Sequence, residues 1–254
     1  MFTGFDIFDR KFVAAVSAAI ATERIGFHVQ GIHDVLNRDT ILYSECLARI
    51  SGPRGEIYEA SEFVPALEIL GETPLLDRCM VQLVLNQLEA DPHAVLGCNI
   101  SADTISKEKE WQCILDQVEE RKHLADRLVF EIIETRPLGI LSMLNTHLDD
   151  AQNLGCRIAI DDFGAGYLPP VQLYSLNPDI IKLDAGFVWA ARKHGGWLGS
   201  LNHFVQFSAS FAPVVIVEGI ETELDLLCAE QAGATHVQGW HLSRPVPFSA
   251  GDTT

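Results

Sequence analysis

The sequence predicts an α/β fold built as a TIM-type (β/α)8 barrel, and three observations carry that prediction. The chain has 254 residues, a length common among single α/β barrels. Strand-like runs alternate with helical patterns from about residue 24 to 248, with no linker, low-complexity tract or internal repeat between them. The strand-like runs are near-continuously apolar, as parallel strands under covering helices are. One unbroken series of this kind favours a closed barrel over a doubly wound sheet, so residues 1–254 read as a single domain.

The elements follow in order. GFHVQG (26–31) and TILYSECL (40–47) are the first two strands. Helical patterns at 61–70 and 73–90 are divided by the turn GETP (71–74), and Pro74 suits a helix's first turn. VLGCNI (95–100) is the third strand, followed by a helical stretch over 103–123. RLVFEII (127–133) and CRIAID (156–161) are the fourth and fifth strands, with a helix over 137–154 between them. A short helix at 169–176 leads to DIIKLD (179–184), the sixth strand. ARKHGGWLGS (191–200) reads as a loop, and a helix over 198–211 precedes the seventh strand, PVVIVE (213–218). Thr222 then caps a helix over 222–232 that has acidic residues in its first turn, and THVQ (235–238) is the eighth strand.

Composition excludes several classes. Hydrophobic residues make up 48%, enough for a substantial core. No apolar run approaches the roughly 20 residues that span a bilayer, and the start MFTGFDIFDRK lacks a signal-peptide pattern. The six cysteines (46, 79, 98, 113, 156, 228) show no metal spacing and read as reduced, mostly buried thiols of a cytoplasmic protein. A net charge of −17 argues against a DNA or RNA groove. It leaves room for a small anionic ligand where bound cations invert the local field. Trp189 and Trp197 read as core or interface residues, and Trp240 as one able to stack on a ring.

The polar residues along the strands carry the chemistry. Glu45 comes late in the second strand, Asn99 next to the end of the third, Glu131 near the end of the fourth, and Asp161 and Asp162 at the end of the fifth. Lys182 follows the apolar start of the sixth, Glu218 closes the seventh and Gln238 closes the eighth. One polar residue at a strand end needs no function. In a barrel these ends converge on one rim, where such folds keep their chemistry. Carboxylates so crowded need cations, or some must hold protons. An oxygen-only donor set suits Mg²⁺ or Mn²⁺ rather than zinc. The adjacent aspartates of AIDDFGAG (159–166) would point oppositely on a strand but can swing to one side at a turn. Two ions about 3.5–4 Å apart would activate a water and stabilise a phosphodiester's leaving oxygen, with a neighbouring lysine acting on that water and on the phosphate charge.

These residues resemble the EAL-type cyclic di-GMP phosphodiesterases of bacteria over nearly the whole chain. Glu45-Cys46-Leu47 matches the name-giving Glu-Ala-Leu, with Arg49 in the place of an arginine that contacts substrate phosphate. GEIYEASEFVPALE, CNIS (98–101), FEIIET (130–135), DDFGAGY (161–167), KLD (182–184), VEGIET (217–222) and VQGWHLSRPVP (237–247) follow in the family's order. HVQG (28–31) resembles the segment whose glutamine, here Gln30, meets a guanine base.

The resemblance implies a modified barrel with one antiparallel strand, and hydrolysis of cyclic di-GMP to linear pGpG with two divalent cations, Mg²⁺ or Mn²⁺. It implies metal ligation by Glu45, Asn99, Glu131, Asp161, Asp162 and Glu218, with Lys182, Glu45 and Glu218 as the catalytic residues. Gln30, Leu47, Arg49 and Gln238 would meet the substrate, and Glu134, Glu221 and Asp184 would support the site from behind, Asp184 reading equally as a helix N-cap. It also implies a homodimer.

The chain departs from the family pattern at four places. Ile133 replaces a threonine, Ala185 replaces an arginine, and Cys46 is a small-for-small exchange. Tyr167-Leu168-Pro169-Pro170 stands where a Tyr-Ser-Ser-Leu loop is usual, so Leu168 lacks the hydroxyl through which Glu134 would hold that loop. The altered loop raises a second reading, an EAL-like module without turnover that binds the dinucleotide or a partner protein.

Overall fold

The structure, a computed structural model, describes residues 5–52, 54–133, 141–165, 168–194 and 198–248. It opens with α1 (Phe5–Ala21), followed by an antiparallel hairpin of β1 (Ile25–Asp34) and β2 (Ile41–Ser51). Next come β3 (Ile57–Glu59), α2 (Ala60–Leu70), α3 (Thr73–Ala90) and β4 (Leu96–Ser101). After α4 (Ala102–Ser106), α5 (Glu108–Glu119) and a 3-10 turn, the chain enters β5 (Leu128–Ile133), α6 (Leu141–Leu154) and β6 (Arg157–Phe163). A 3-10 turn at Pro170–Gln172 leads into α7 (Leu173–Leu176), β7 (Ile180–Leu183), α8 (Ala185–His194) and α9 (Leu198–Ser208). The series ends with β8 (Val214–Val217), α10 (Glu223–Ala232), β9 (His236–Val237) and β10 (Val246–Pro247).

The sheet runs β1-β9-β8-β7-β6-β5-β4-β2, and the β1–β2 pairing closes it into an eight-stranded barrel. β1 is antiparallel to both its neighbours, β2 and β9, while the others pair in parallel. This is a modified TIM barrel. The short β10 and β3 flank β1 and β2 outside the closed ring.

Pleating divides the buried residues into two sets. Outward-facing Cys98, Ile100, Phe130, Ile132, Ile158 and Ile160 pack under the helices. Inward-facing Ile32, Tyr43, Val129, Ala159, Ile180 and Ile216 fill one end of the barrel. That plug leaves the other end for the polar residues.

Local signals account for several boundaries. Gly71 ends α2 with φ 69, and Pro74 lies in the first turn of α3. Thr222 and Asp225 form a reciprocal capping box at the start of α10.

Three features depart from the sequence expectation. α1, β3 and β10 are additional elements; α1 buries Val16 and Ala19, so the fold begins ahead of residue 24. The predicted loop over 191–200 is mostly helical, since α8 runs to His194 and α9 starts at Leu198. Residues 195–197, including Trp197, lie outside the described residues. Glu45 is in the middle of β2 rather than near its end, because the strand continues past the parallel pairing to form a ribbon with β1 and β3. Of the two readings of Trp189, its 49% exposure leaves the interface one.

A buried polar knot joins α3 to the β4–α4 junction. Asp77 Oδ2 accepts hydrogen bonds from the Ser101 N–H (2.9 Å), Ser101 Oγ (2.7 Å) and Thr104 Oγ1 (2.5 Å). Burial outweighs these bonds and raises its carboxyl to about 6. A carboxyl raised in the fold favours the protonated form, so its contribution to stability is complete below the ordinary value of 3.8 and is lost as pH rises through about 6. The stability of the wild type relative to Asp77→Asn should therefore fall between pH 4 and pH 7, by on the order of 3 kcal/mol. Paired urea titrations at the two pH values measure it.

Candidate active site

Barrel closure brings the strand-end polar residues into one cluster. Glu45 on β2 lies across from Gln30 on β1 and Gly97 on β4, and Asn99 on β4 lies across from Glu131 on β5. The Lys182 side chain, fully buried, sits at the centre. Its Nζ is 2.6 Å from Glu131 Oε2, 2.9 Å from Asp161 Oδ1, 2.9 Å from Glu218 Oε1 and 3.4 Å from Glu45 Oε2. Asn99 donates to Glu45 Oε1 at 2.8 Å and Gln238 to Glu45 Oε2 at 2.7 Å. Gln238 also donates to Gln30 Oε1 (3.3 Å), and Gln30 donates to the Ser243 carbonyl (2.9 Å).

The two aspartates reach the same side by a different route from a terminal turn. Both belong to β6, whose pairing with β7 is irregular between Ile160 and Phe163. Asp162 adopts φ 52 there, a left-handed conformation uncommon for a residue with a side chain. This bulge lets adjacent carboxylates converge where a regular strand would separate them. Oxygens of Glu45, Glu131 and Asp161 lie within 4.8 Å of one another, as do those of Asp161, Asp162 and Glu218.

Crowding divides the acids electrostatically. Burial would raise the Glu45 carboxyl, but Lys182, Asn99 and Gln238 together hold it below its ordinary value. Burial and the neighbouring Glu45 and Asp161 charges push Glu131 well up despite Lys182. The same kinds of influence put Glu218 at about 8, and burial with the Asp161 charge puts Asp162 at about 6. Burial would depress the Lys182 ammonium; the Asp161, Glu131, Glu218 and Glu45 carboxylates overcome this and hold it well above the usual lysine range. Among the buried oxygens without a hydrogen-bond partner in the described residues are Asn99 Oδ1, Glu131 Oε1 and Gln238 Oε1, all from residues of the cluster. Unpaired buried acceptors cost free energy, and a cation held by Asn99 and Glu131 would relieve theirs. The donor set is oxygen throughout, so it fits hard divalent ions.

A cavity of about 440 Å³ opens over the cluster. Glu45, Leu47, Asn99, Asp161, Asp162 and Glu218 line one part; the rest is a cleft between β2 and helices α2 and α3 where Val64, Leu76 and Met80 lie beside the polar Ser61, Glu68 and Thr73.

Other expected residues stand apart from the cluster. Arg49 is buried, donates to the Leu47 (3.4 Å) and Ala48 (3.0 Å) carbonyls and lies 3.7 Å from Glu59. Glu221 is exposed and paired with Arg192 at 2.8 Å. Asp184 accepts from the Gly186 N–H at 2.9 Å, the capping alternative at the start of α8. Glu134 and Tyr167 lie outside the described residues.

Sequence reasoning missed Gly97. A Cβ there would meet the Tyr43 ring at 2.7 Å and collide with Glu131 Oε1. The glycine inside the strand pattern VLGCNI was the available signal, since a strand glycine marks close approach. It also missed Arg192, which no local motif announces.

The family model described as EAL domain matches residues 13–245. Among curated proteins, cyclic di-GMP phosphodiesterase PdeF of Escherichia coli (strain K12) is 26% identical over 216 residues, 82% of this chain and 28% of the relative. The chain thus spans little more than a quarter of that relative's length. Two solved structures share the fold. The PaMucR phosphodiesterase in complex with c-di-GMP has a TM-score of 0.79 and 19% identity, covering 93% of this chain and 98% of that one. An EAL domain protein from Listeria monocytogenes EGD-e has a TM-score of 0.80 and 23% identity, covering 92% of this chain and 93% of that one.

The charge arrangement predicts the effect of removing the ammonium. Lys182→Met should lower the stability of metal-free protein by about 3–5 kcal/mol near pH 7.5, because it leaves buried carboxylates unpaired. The deficit should shrink at pH 5, where the acids can take up protons. Chemical denaturation in EDTA at both pH values measures this.

Proposed function

The chain belongs to the EAL domain family, and from that premise we propose that it is a divalent-metal-dependent phosphodiesterase that hydrolyses cyclic di-GMP to linear pGpG in bacterial second-messenger signalling. The observation that carries this reading is the pair of oxygen groups meeting at Asp161, with three unpaired buried acceptors beside them under an open cavity. Glu45, Asn99, Glu131, Asp161, Asp162 and Glu218 would hold two ions, Mg²⁺ or Mn²⁺. The chemistry such ions supply is Lewis-acid polarisation of the phosphate and a water acidic enough to attack near neutral pH.

The chain's own groups do the rest. Lys182 orients the attacking water and offsets charge that develops on the phosphate, an electrostatic role suited to a low-dielectric site. Glu45 and Glu218 act beside it. Gln238 and Gln30 face the substrate across the β1–β9 seam, and Leu47 supplies apolar contact from the cavity wall. Arg49 serves the substrate phosphate after turning from Glu59. Asp184 supports α8 at the rim, Glu221 and Glu134 support the site from outside, and residues 1–254 act as one EAL unit.

The six free cysteines suit the cytoplasm. A homodimer has support in the exposed aromatic band of Tyr174, Phe204 and Phe207, with Tyr174 79% exposed. A binding module without turnover is the alternative that the Leu168-Pro169-Pro170 loop raises.

Incubation of purified protein with cyclic di-GMP and Mn²⁺ or Mg²⁺, followed by nucleotide chromatography, should yield pGpG. EDTA, Glu45→Ala or Lys182→Ala should each reduce turnover by at least about 100-fold, the scale of losing a transition-state contact. Binding without product in both metals across protein concentrations would refute the enzymatic reading and leave the binding module.

A further inference from the structure

Glu218 and Gln238 come from segments outside regular strands, yet both must be held within a fraction of an ångström to serve a cation or substrate. β8 ends at Val217 and β9 at Val237. The turn at 218–222 supports both. Its Ile220 N–H donates to the Gln238 carbonyl (3.1 Å), and the Ile220 carbonyl accepts from His241 N–H (3.0 Å). Ile220 itself is fully buried, and a Cβ on Gly239 would collide with the Ile220 backbone, so the two segments are in close register.

That turn is gripped from α8 by one side chain. Arg192 Nε and Nη2 form a fork on Asp225, at 2.8 Å to Oδ1 and 2.6 Å to Oδ2. Its Nη1 reaches Glu221 Oε2 at 2.8 Å, and Nη2 reaches the Gly219 carbonyl at 3.3 Å. Asp225 Oδ2 passes the restraint on, accepting from the N–H groups of Glu221 (3.1 Å) and Thr222 (2.8 Å). Gly219 follows Glu218 directly and has φ 73; a Cβ there would come 2.6 Å from the Ala185 Cβ at the start of α8. Thus α8, which leaves the Lys182 strand, holds the Glu218 turn at both its ends.

We propose that Arg192 is a positioning residue for Glu218 and Gln238, setting their place in the cluster by clamping the 218–222 turn onto α8. The consequence for metal and substrate rests on the phosphodiesterase reading; the clamp itself does not. The guanidinium touches no reacting group. Its removal leaves Asp225, which is 3% exposed, without its cation and frees the Gly219 carbonyl. A lysine has no planar fork to bridge Asp225 and Glu221 together, so it should restore only part of the effect.

The test compares wild type, Arg192→Ala and Arg192→Lys by amide hydrogen exchange, Mn²⁺ calorimetry and kinetics with cyclic di-GMP. Arg192→Ala should exchange faster at 218–222 and 238–241, with β4–β6 unchanged. It should bind Mn²⁺ about tenfold more weakly and lose kcat more than KM, the usual scale for a residue that orients ligands. Arg192→Lys should lie between the two. Unchanged exchange in both segments, or faster exchange with Mn²⁺ affinity and kcat within about twofold of wild type, would overturn the proposal. If Arg192→Ala loses the fold, shown by exchange throughout β4–β6, Arg192→Lys is judged by the same criteria. A wild type that neither binds Mn²⁺ nor yields pGpG would sink the phosphodiesterase reading, and the exchange comparison alone would then decide the clamp.

Discussion

Everything at the polar end of the barrel depends on one charge interaction, the Lys182 ammonium enclosed by the carboxylates of Glu45, Glu131, Asp161 and Glu218. Buried ion pairs give little net stability, because the loss of hydration offsets much of the attraction. One ammonium also has only three hydrogens for these four acids. The remainder of the imbalance is met by protons, with Glu218 at about 8 and Glu131 pushed well up, both chiefly by burial. The cluster is therefore a poor way to stabilise a fold and a good way to receive positive charge. Carboxyls that hold protons in such a cluster would release them to a bound cation.

The rest of the barrel is shaped to permit that concentration. Aliphatic side chains and Tyr43 plug one end, which confines the acids to the other. Gly97 gives up its side chain so that the Tyr43 ring and Glu131 can share the space beside β4. The reversed direction of β1 sets Gln30 across from Glu45, and the amides of Gln30 and Gln238 meet over the seam where β9 is only two residues long. Asp162 takes a left-handed backbone conformation, which costs on the order of 1–3 kcal/mol. Such strain persists where the surroundings over-determine it, and here it is what turns two adjacent carboxylates to one side.

What was legible in the sequence followed from period and position. Apolar runs gave the strands, proline and glycine gave the turn between α2 and α3, and Thr222 gave the start of α10, since each reflects a local preference. The convergence of Glu45, Asn99, Glu131, Asp161, Asp162, Lys182, Glu218 and Gln238 was legible because strand ends in a closed barrel meet at one rim. What escaped depends on partners distant in sequence. Gly97 is explained only by Tyr43 and Glu131, and Arg192 only by residues 27 to 33 positions away. Glu45 looked terminal because the ribbon it shares with β1 and β3 extends β2 beyond its parallel pairing. In the 191–200 segment the paired glycines have poor intrinsic helix propensity, a weak prior for the flanks that α8 and α9 occupy.

The Leu168-Pro169-Pro170 segment then takes on a different meaning. A hydroxyl in the usual loop would tie it down by a hydrogen bond; Leu168 is 7% exposed and belongs to the apolar core. Phe163, at the end of the bulged strand, is buried and stacks on Phe207 with ring centres 6.4 Å apart. Beyond it Gly164 leaves room for Phe187, whose ring would overlap any side chain there, and Phe187 packs on Phe204 at 4.3 Å. Phe163 and Gly164 thus lie against α8 and α9, and Leu168 joins the apolar core. Packing is less directional than a hydrogen bond, but Phe163 and Leu168 each bury enough apolar surface to contribute about 1.5–3 kcal/mol. Pro169, with its fixed φ, reduces the freedom that such contacts must overcome. At the altered position itself, the exchange supplies a buried apolar side chain, Leu168. The backbone that carries the aspartates is held by the bulge and by the buried, stacked Phe163 directly after them.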